Sequence, residues 1–202
     1  MIIEKVEYSS RLNLIKVFIS DEAFLLSYDF FNKYDLKKNC PIEFSLYKKI
    51  VSEDDFNRCK EEALRQISYS SKTSFELKNL LEKKDFDPSN IDMVIEFLEA
   101  YKLIDDESYV RAFVNDKWNI SNWSKGKIRF KLRGKNVSDF LIDKYLGEIS
   151  DEDEYERALD LAKRKSSGKS DYKTKQKVYN FLSYRAYSYD IIRRCLDEIF
   201  YE

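Results

Sequence analysis

Residues 123–137 read "WSKGKIRFKLRGKNV". From Lys125 to Lys135 a Lys or Arg stands at every second position, with no acid among them. A period of two is the mark of a half-buried strand. Taken alone, "KIRFKLR" would be read that way. The choice between strand and helix decides the fold, because this stretch belongs to a unit that recurs.

Three windows align without gaps: "LKNLLEKKDFDPSNIDMVI" (77–95), "IRFKLRGKNVSDFLIDKYL" (128–146) and "VYNFLSYRAYSYDIIRRCL" (178–196). Leu77, Ile128 and Val178 coincide, and so do Leu81, Leu132 and Leu182. Phe86, Val137 and Tyr187 follow, then Ile91, Ile142 and Ile192, then Ile95, Leu146 and Leu196. The spacing is 51 residues and then 50, the self-similarity expected of a helical repeat. Ile128 and Leu132 thus become an i, i+4 core pair, and 123–137 is read as a helix. Each unit gains a preceding helix, over 53–70, 106–119 and 152–166. The chain is expected to be mainly α: three tandem three-helix, helix-turn-helix-like repeats in an elongated curved array. The residue before the turn position is Asp85, Asn136 or Ala186. Asp and Asn tolerate a left-handed backbone and Ala does so poorly, so the third turn is expected to differ.

Cap signals frame the helices. Ser52 with Asp55 opens the first, Thr73 with Glu76 makes a capping box, and Asp87–Pro88 supplies an N-cap and an N1 proline. Upstream, "IIEKVEY" (2–8), "LNLIKVFI" (12–19) and "FLLSY" (24–28) are separated by Ser9–Ser10–Arg11 and Ser20–Asp21–Glu22. They predict a small antiparallel β meander. Three strands are marginal alone, so 43–50 or the next helix should cover one face, with "KKNCPIE" (37–43) as the linker. The expected divisions are a β-rich segment at 1–50 and repeats at 51–104, 105–150 and 151–202.

The composition narrows the chemistry. There is no histidine among 202 residues, which removes the commonest general base and metal ligand. "LIDDE" (103–107) reads as a helix start with acids at the positive end of its dipole rather than as a metal site. Three scattered cysteines argue against a disulfide framework and for a reducing, cytoplasmic home. No apolar run reaches the roughly 20 residues of a membrane span. Four glycines leave little for a phosphate cradle. The expectation is a non-enzymatic protein without cofactor or metal.

A net charge of −1 conceals segregation. Residues 111–135 and 163–185 each carry eight Lys/Arg and one acid, whereas 139–160 carries nine acids and two bases. On a helix, Lys125, Arg129 and Arg133 form one row beside the core stripe. Lys127, Lys131 and Lys135 form a second on its other flank, with Phe130 facing outward between them. The second block adds Lys163, Arg164, Lys165, Lys173, Lys175 and Lys177. Single-sign blocks on equivalent helices suit a polyanion or nucleoprotein surface. The acidic block either pairs with these neighbours or meets a protein partner.

"ALRQISYSSKTSFELKNLLEKKDF" (63–86), "LIDDESYVRAFVNDKWN" (103–119), "SKGKIRFKLRGKNV" (124–137) and "RAYSYDIIRRCL" (185–196) together resemble the RecX family of RecA regulators. The likeness runs in order through all three modules. It departs at Asp85, Asn136 and Ala186, where the family usually has glycine, and at Lys117, near which it has an arginine. The resemblance implies a protein that binds RecA and the RecA–single-stranded DNA filament, limiting filament growth, ATP hydrolysis and strand exchange. It is expected to act as a monomer, away from membranes. The alternatives are a stand-alone DNA-binding repeat protein or transcriptional regulator, and a pure helical scaffold.

Overall fold

A computed structural model describes residues 1–10 and 12–200 of the chain. It divides into two compact units, Met1–Asp105 and Asp106–Glu202. Arg11 of the first expected turn and the last two residues of the third repeat lie outside the described residues.

The first unit opens with β1 (Ile3–Ser9), β2 (Leu14–Ile19) and β3 (Glu22–Leu26), an antiparallel meander in the order β1-β2-β3. Val6 faces Val17, and Val17 faces Phe24. The β2–β3 turn places both Ser20 and Asp21 at positive φ, the two-residue geometry that matches strand twist. Inward residues Ile3, Ile15, Val17, Ile19, Phe24 and Leu26 meet Leu36, Ile42 and Ile50 in one core.

Two differences from expectation arise here. A short helix α1 (Tyr28–Lys33), capped by the Ser27 hydroxyl accepting from the Phe30 amide, follows the sheet directly. The helix expected to open at Ser52 begins at Phe44 and runs to Tyr69 as α2. The 50/51 division therefore falls inside one continuous helix, whose Ile50 belongs to the sheet core and whose Cys59 and Ala63 belong to the next. Residues 37–43 are tied to β1 rather than spanning as a linker: the Ile3 amide donates to the Cys40 carbonyl at 3.1 Å and Ile2 bridges Pro41. The edge of β3 is closed by α2. The Leu25 amide donates to Asp54, and the Asn57 amide group and Arg58 donate to the Leu25 and Ala23 carbonyls. An exposed strand edge is thereby covered.

Helices α3 (Ser74–Glu82) and α4 (Pro88–Ala100) complete the first repeat, with Leu77, Leu81, Ile91 and Leu98 fully buried. The second unit holds α5 (Asp106–Asn119), α6 (Lys125–Arg133) and α7 (Asp139–Leu146). These are followed by α8 (Asp151–Ser166), α9 (Tyr172–Tyr184) and α10 (Tyr189–Phe200). Each triplet encloses its own apolar core. The 123–137 stretch is thus helical, with Ile128 and Leu132 fully buried. Asp106 and Glu107 stand in the first turn of α5, and Glu107 accepts from Lys144 and from the Tyr145 hydroxyl.

The second helix of every repeat ends in the same way. The amides of Phe86, Val137 and Tyr187 reach back to the Leu81, Leu132 and Leu182 carbonyls. Asp85, Asn136 and Ala186 sit at φ 61, 57 and 62. The third turn therefore has the geometry of the other two, correcting the expectation for Ala186. The paired backbone hydrogen bonds hold an alanine in a conformation that its Cβ disfavours.

Candidate protein and nucleic-acid interface

The basic rows of α6 meet different surroundings. In the first row, Lys125 pairs with Asp151 at 2.8 Å, Arg129 pairs with Asp143, and Arg133 pairs with Asp139 at 2.7 Å. The Arg133 guanidinium holds the Asp139 carboxyl below its usual range, and Lys125 does the same for Asp151. The Lys125 side chain is only 16% exposed. This row is internally neutralised by the acidic block, the first of the two roles that block could have had.

The second row lies over aromatic rings. Lys127 stands 4.2 Å from the centroid of Trp123, and Lys135 stands 5.3 Å from that of Tyr109. Lys131 lies 5.9 Å from Phe130, which is 71% exposed. Opposite them, Tyr109 and Phe113 stack at 5.9 Å along α5. Phe113 then meets Trp123 edge-on, and Lys117 spans both rings. Lys135 of α6 thus reaches Tyr109 at one end of the i, i+4 row 109, 113, 117 of α5, and Lys127 and Lys117 share the Trp123 ring at the other. A cation held over a ring keeps its charge, and Lys117 is also paired with Asp116 at 2.5 Å. Among the described residues, no carboxylate pairs with Lys127 or Lys131.

The third repeat repeats the arrangement with different residues. Lys165 of α8 and Arg185 just after α9 lie 5.3 and 4.6 Å from the Phe181 ring. Lys177, the counterpart of Lys127, is exposed, as is Lys173. Among the described residues neither has a carboxylate partner. Lys163 and Arg164 instead pair with Glu198 and Asp160, and Lys175 of α9 lines a cleft shared with α10. Of the candidate cations, Lys125, Arg129, Arg133, Lys163 and Arg164 are thus paired with carboxylates of this chain. Sequence reading missed Tyr109, Phe113 and Phe181, and it counted Arg185 in the second basic block without singling it out. The i, i+4 spacing of 109, 113 and 117 was visible, but not that Lys135 would reach it.

Repeats two and three lock together at the start of α6. The buried Ser124 donates from its hydroxyl to the Arg185 carbonyl at 2.5 Å. The Lys125 amide donates to Glu154 at 2.8 Å. Burial pushes the Glu154 carboxyl up, against the pull of that amide. Arg157 stacks 3.4 Å from the Trp118 ring and donates to its carbonyl. These contacts tie the start of α6 and the end of α5 to the third repeat.

Among the described residues, no group of three or more His, Cys, Asp or Glu is placed to hold a metal ion. No helix there is long and apolar enough to cross a membrane.

Comparison with known proteins gives a consistent result. Residues 59–98, 105–146 and 151–196 match the first, second and third three-helix domains of RecX. The chain is 36% identical to the regulatory protein RecX of Clostridium perfringens strain 13 over 215 aligned positions, covering 99% of each. It is 32% identical to the regulatory protein RecX of Clostridium botulinum strain Alaska E43, covering 97% of this chain and 95% of that one. A crystal structure of regulatory protein RecX superposes with a TM-score of 0.79 at 22% identity, over 97% of this chain and 98% of that one. RecX from Lactobacillus salivarius does so with 0.65 at 26% identity, over 72% and 97%.

Proposed function

The chain belongs to the RecX family of regulatory proteins, and from that premise we propose that it acts in the cytoplasm as a non-enzymatic brake on RecA. It binds RecA and the RecA–single-stranded DNA filament and limits filament extension, ATP hydrolysis and strand exchange. The observation that carries this reading is the division of the α6 cations. The Lys125, Arg129 and Arg133 row is consumed within the protein, whereas Lys127 over Trp123 and Lys131 beside the exposed Phe130 pair with no carboxylate among the described residues. Cations backed by rings, repeated one module later at Lys165 and Arg185, suit a partner that repeats along an anionic axis.

The test is RecA's single-strand-dependent ATP hydrolysis, titrated with substoichiometric protein. Reversing Lys127 and Lys131 to Glu should abolish the inhibition while leaving the fold intact. Replacing Arg129 and Arg133 with Gln should leave the inhibition in place, since those groups already face Asp143 and Asp139. Equal inhibition by the native and reversed proteins would remove the cation–aromatic face from the account.

A further inference from the structure

The three repeats brace their last two helices differently. In the first, Lys78 of α3 pairs with Asp92 of α4 at 2.6 Å. In the second, Arg129 of α6 pairs with Asp143 of α7 at the equivalent positions. The repeat register places Tyr179 and Arg193 at those positions in the third. The brace is gone, and Arg193 turns to Asp197 on its own helix at 3.7 Å.

A cleft of about 280 Å³ occupies this place between α9 and α10. Its floor is the buried pair Ile192 and Leu196, and its walls include the rings of Tyr179 and Tyr189, both exposed. Tyr189 stands where the other repeats have Pro88 and Asp139. Lys175 and Arg193 bring positive charge to the rim, with Asp197 beside them. The volume is just under the roughly 300 Å³ at which drug-sized pockets begin, so it suits one flat ring system. Seven residues make about two helical turns, so the exposed Tyr172 shares the Tyr179 face about 10 Å along the axis.

We propose that this face is a stacking site for the bases of a single-stranded nucleic acid. One base enters between Tyr179 and Tyr189 over Ile192, its phosphate lies toward Lys175 and Arg193, and a neighbouring base reaches Tyr172. An acidic peptide would answer the cations and leave the rings unused, and an aromatic peptide side chain would do the reverse. A nucleotide answers both within one residue. Stacking on tyrosine is tolerant of sequence, as a site on an arbitrary strand requires. This site deepens the filament reading and rests on its nucleic-acid half.

The test uses the full chain and the anisotropy of two dye-labelled strands of equal length, an oligothymidylate and an abasic strand. The native chain should prefer the oligothymidylate about tenfold, within the range that stacking of one base gives. The double variant Tyr179→Arg, Arg193→Asp installs the ion pair of the second repeat, so the helices stay braced. It should bind both strands alike, with an unchanged melting temperature. Tyr189→Leu should lose most of the preference by itself. Equal binding of both strands by the native chain, or a preference that survives the double variant, overturns the site even if RecA inhibition stands. A chain that prefers bases yet leaves RecA's ATPase untouched keeps the site and refutes the filament reading.

Discussion

The Cβ that Gly126 lacks would stand 2.1 Å from the carbonyl oxygen of Ala186. That carbonyl belongs to the left-handed turn of the third repeat, and Gly126 lies in the first turn of α6 in the second. The positive end of a helix therefore rests directly on a neighbouring backbone, with Ser124 and Lys125 bonding on either side. Elsewhere in a helix, Gly to Ala gains about 1 kcal/mol. Here the backbone cannot give way, and Gly126→Ala should cost about 2 kcal/mol, as overpacking does. Gly134→Ala, with no contact nearer than 3.4 Å, is the control and should be neutral or stabilising. Urea denaturation of both variants checks the pair, and equal stability would contradict the close contact.

Ala186 itself is strained. At φ 62 its Cβ is crowded against a backbone carbonyl oxygen, at a cost of about 1–2 kcal/mol. Glycine removes that cost but adds roughly 0.4–1 kcal/mol of unfolded-state entropy. Ala186→Gly should therefore stabilise by about 0.5–1 kcal/mol. Asn136→Gly should gain less, because asparagine enters this region readily. A gain at 136 larger than that at 186 would show that the third turn is not strained.

The repeats were legible because their core positions recur at helical spacing, as with Ile128 and Leu132. The turns were legible because Asp85 and Asn136 suit a left-handed backbone. The start of α2 was hidden: Ser52 and Asp55 imitate a cap, while Pro41 and Ile42 close the sheet core from just ahead of the helix. Helix α1 was hidden because its aromatic residues continue the strand pattern of β3. Both rows of α6 could be drawn on a helical wheel, but their fates could not. Those depend on where α7 and α8 carry Asp139, Asp143 and Asp151, and on where α5 carries Tyr109 and Phe113. Gly126 gave no sign, since a glycine in a first helical turn looks neutral until its neighbour is seen.

Tyr187 occupies the apolar position that follows the turn, where the other repeats have Phe86 and Val137. Its hydroxyl is buried, and among the described residues it has no hydrogen-bond partner. Burial pushes its pKa up to about 12. An unmet buried hydroxyl costs about 1–3 kcal/mol. Tyr187→Phe keeps the ring and removes that cost, so a gain of about 1 kcal/mol in thermal or urea unfolding is expected. A loss of stability would mean that the hydroxyl is satisfied after all.

Glu154 gives the junction a pH dependence of unusual sign. It is buried at 6% exposure and accepts the Lys125 amide, with Asp151 and Arg157 also acting on it. Burial raises its carboxyl above the ordinary 4.5, so the fold favours its protonated form. Its contribution to stability is therefore fully present below 4.5 and is lost as pH rises through the folded value. Asp139, Asp151 and Glu198 behave oppositely. Their partners hold them low, and they lose stability as pH falls. The two trends overlap in the native chain, but Glu154→Gln separates them, because the amide oxygen can still accept from Lys125. The variant should be more stable than the native chain at neutral pH, with the gap closing as pH falls toward 4.5. Urea unfolding of both proteins across that range reads the difference directly, and a difference that does not change with pH would show that Glu154 keeps an ordinary pKa.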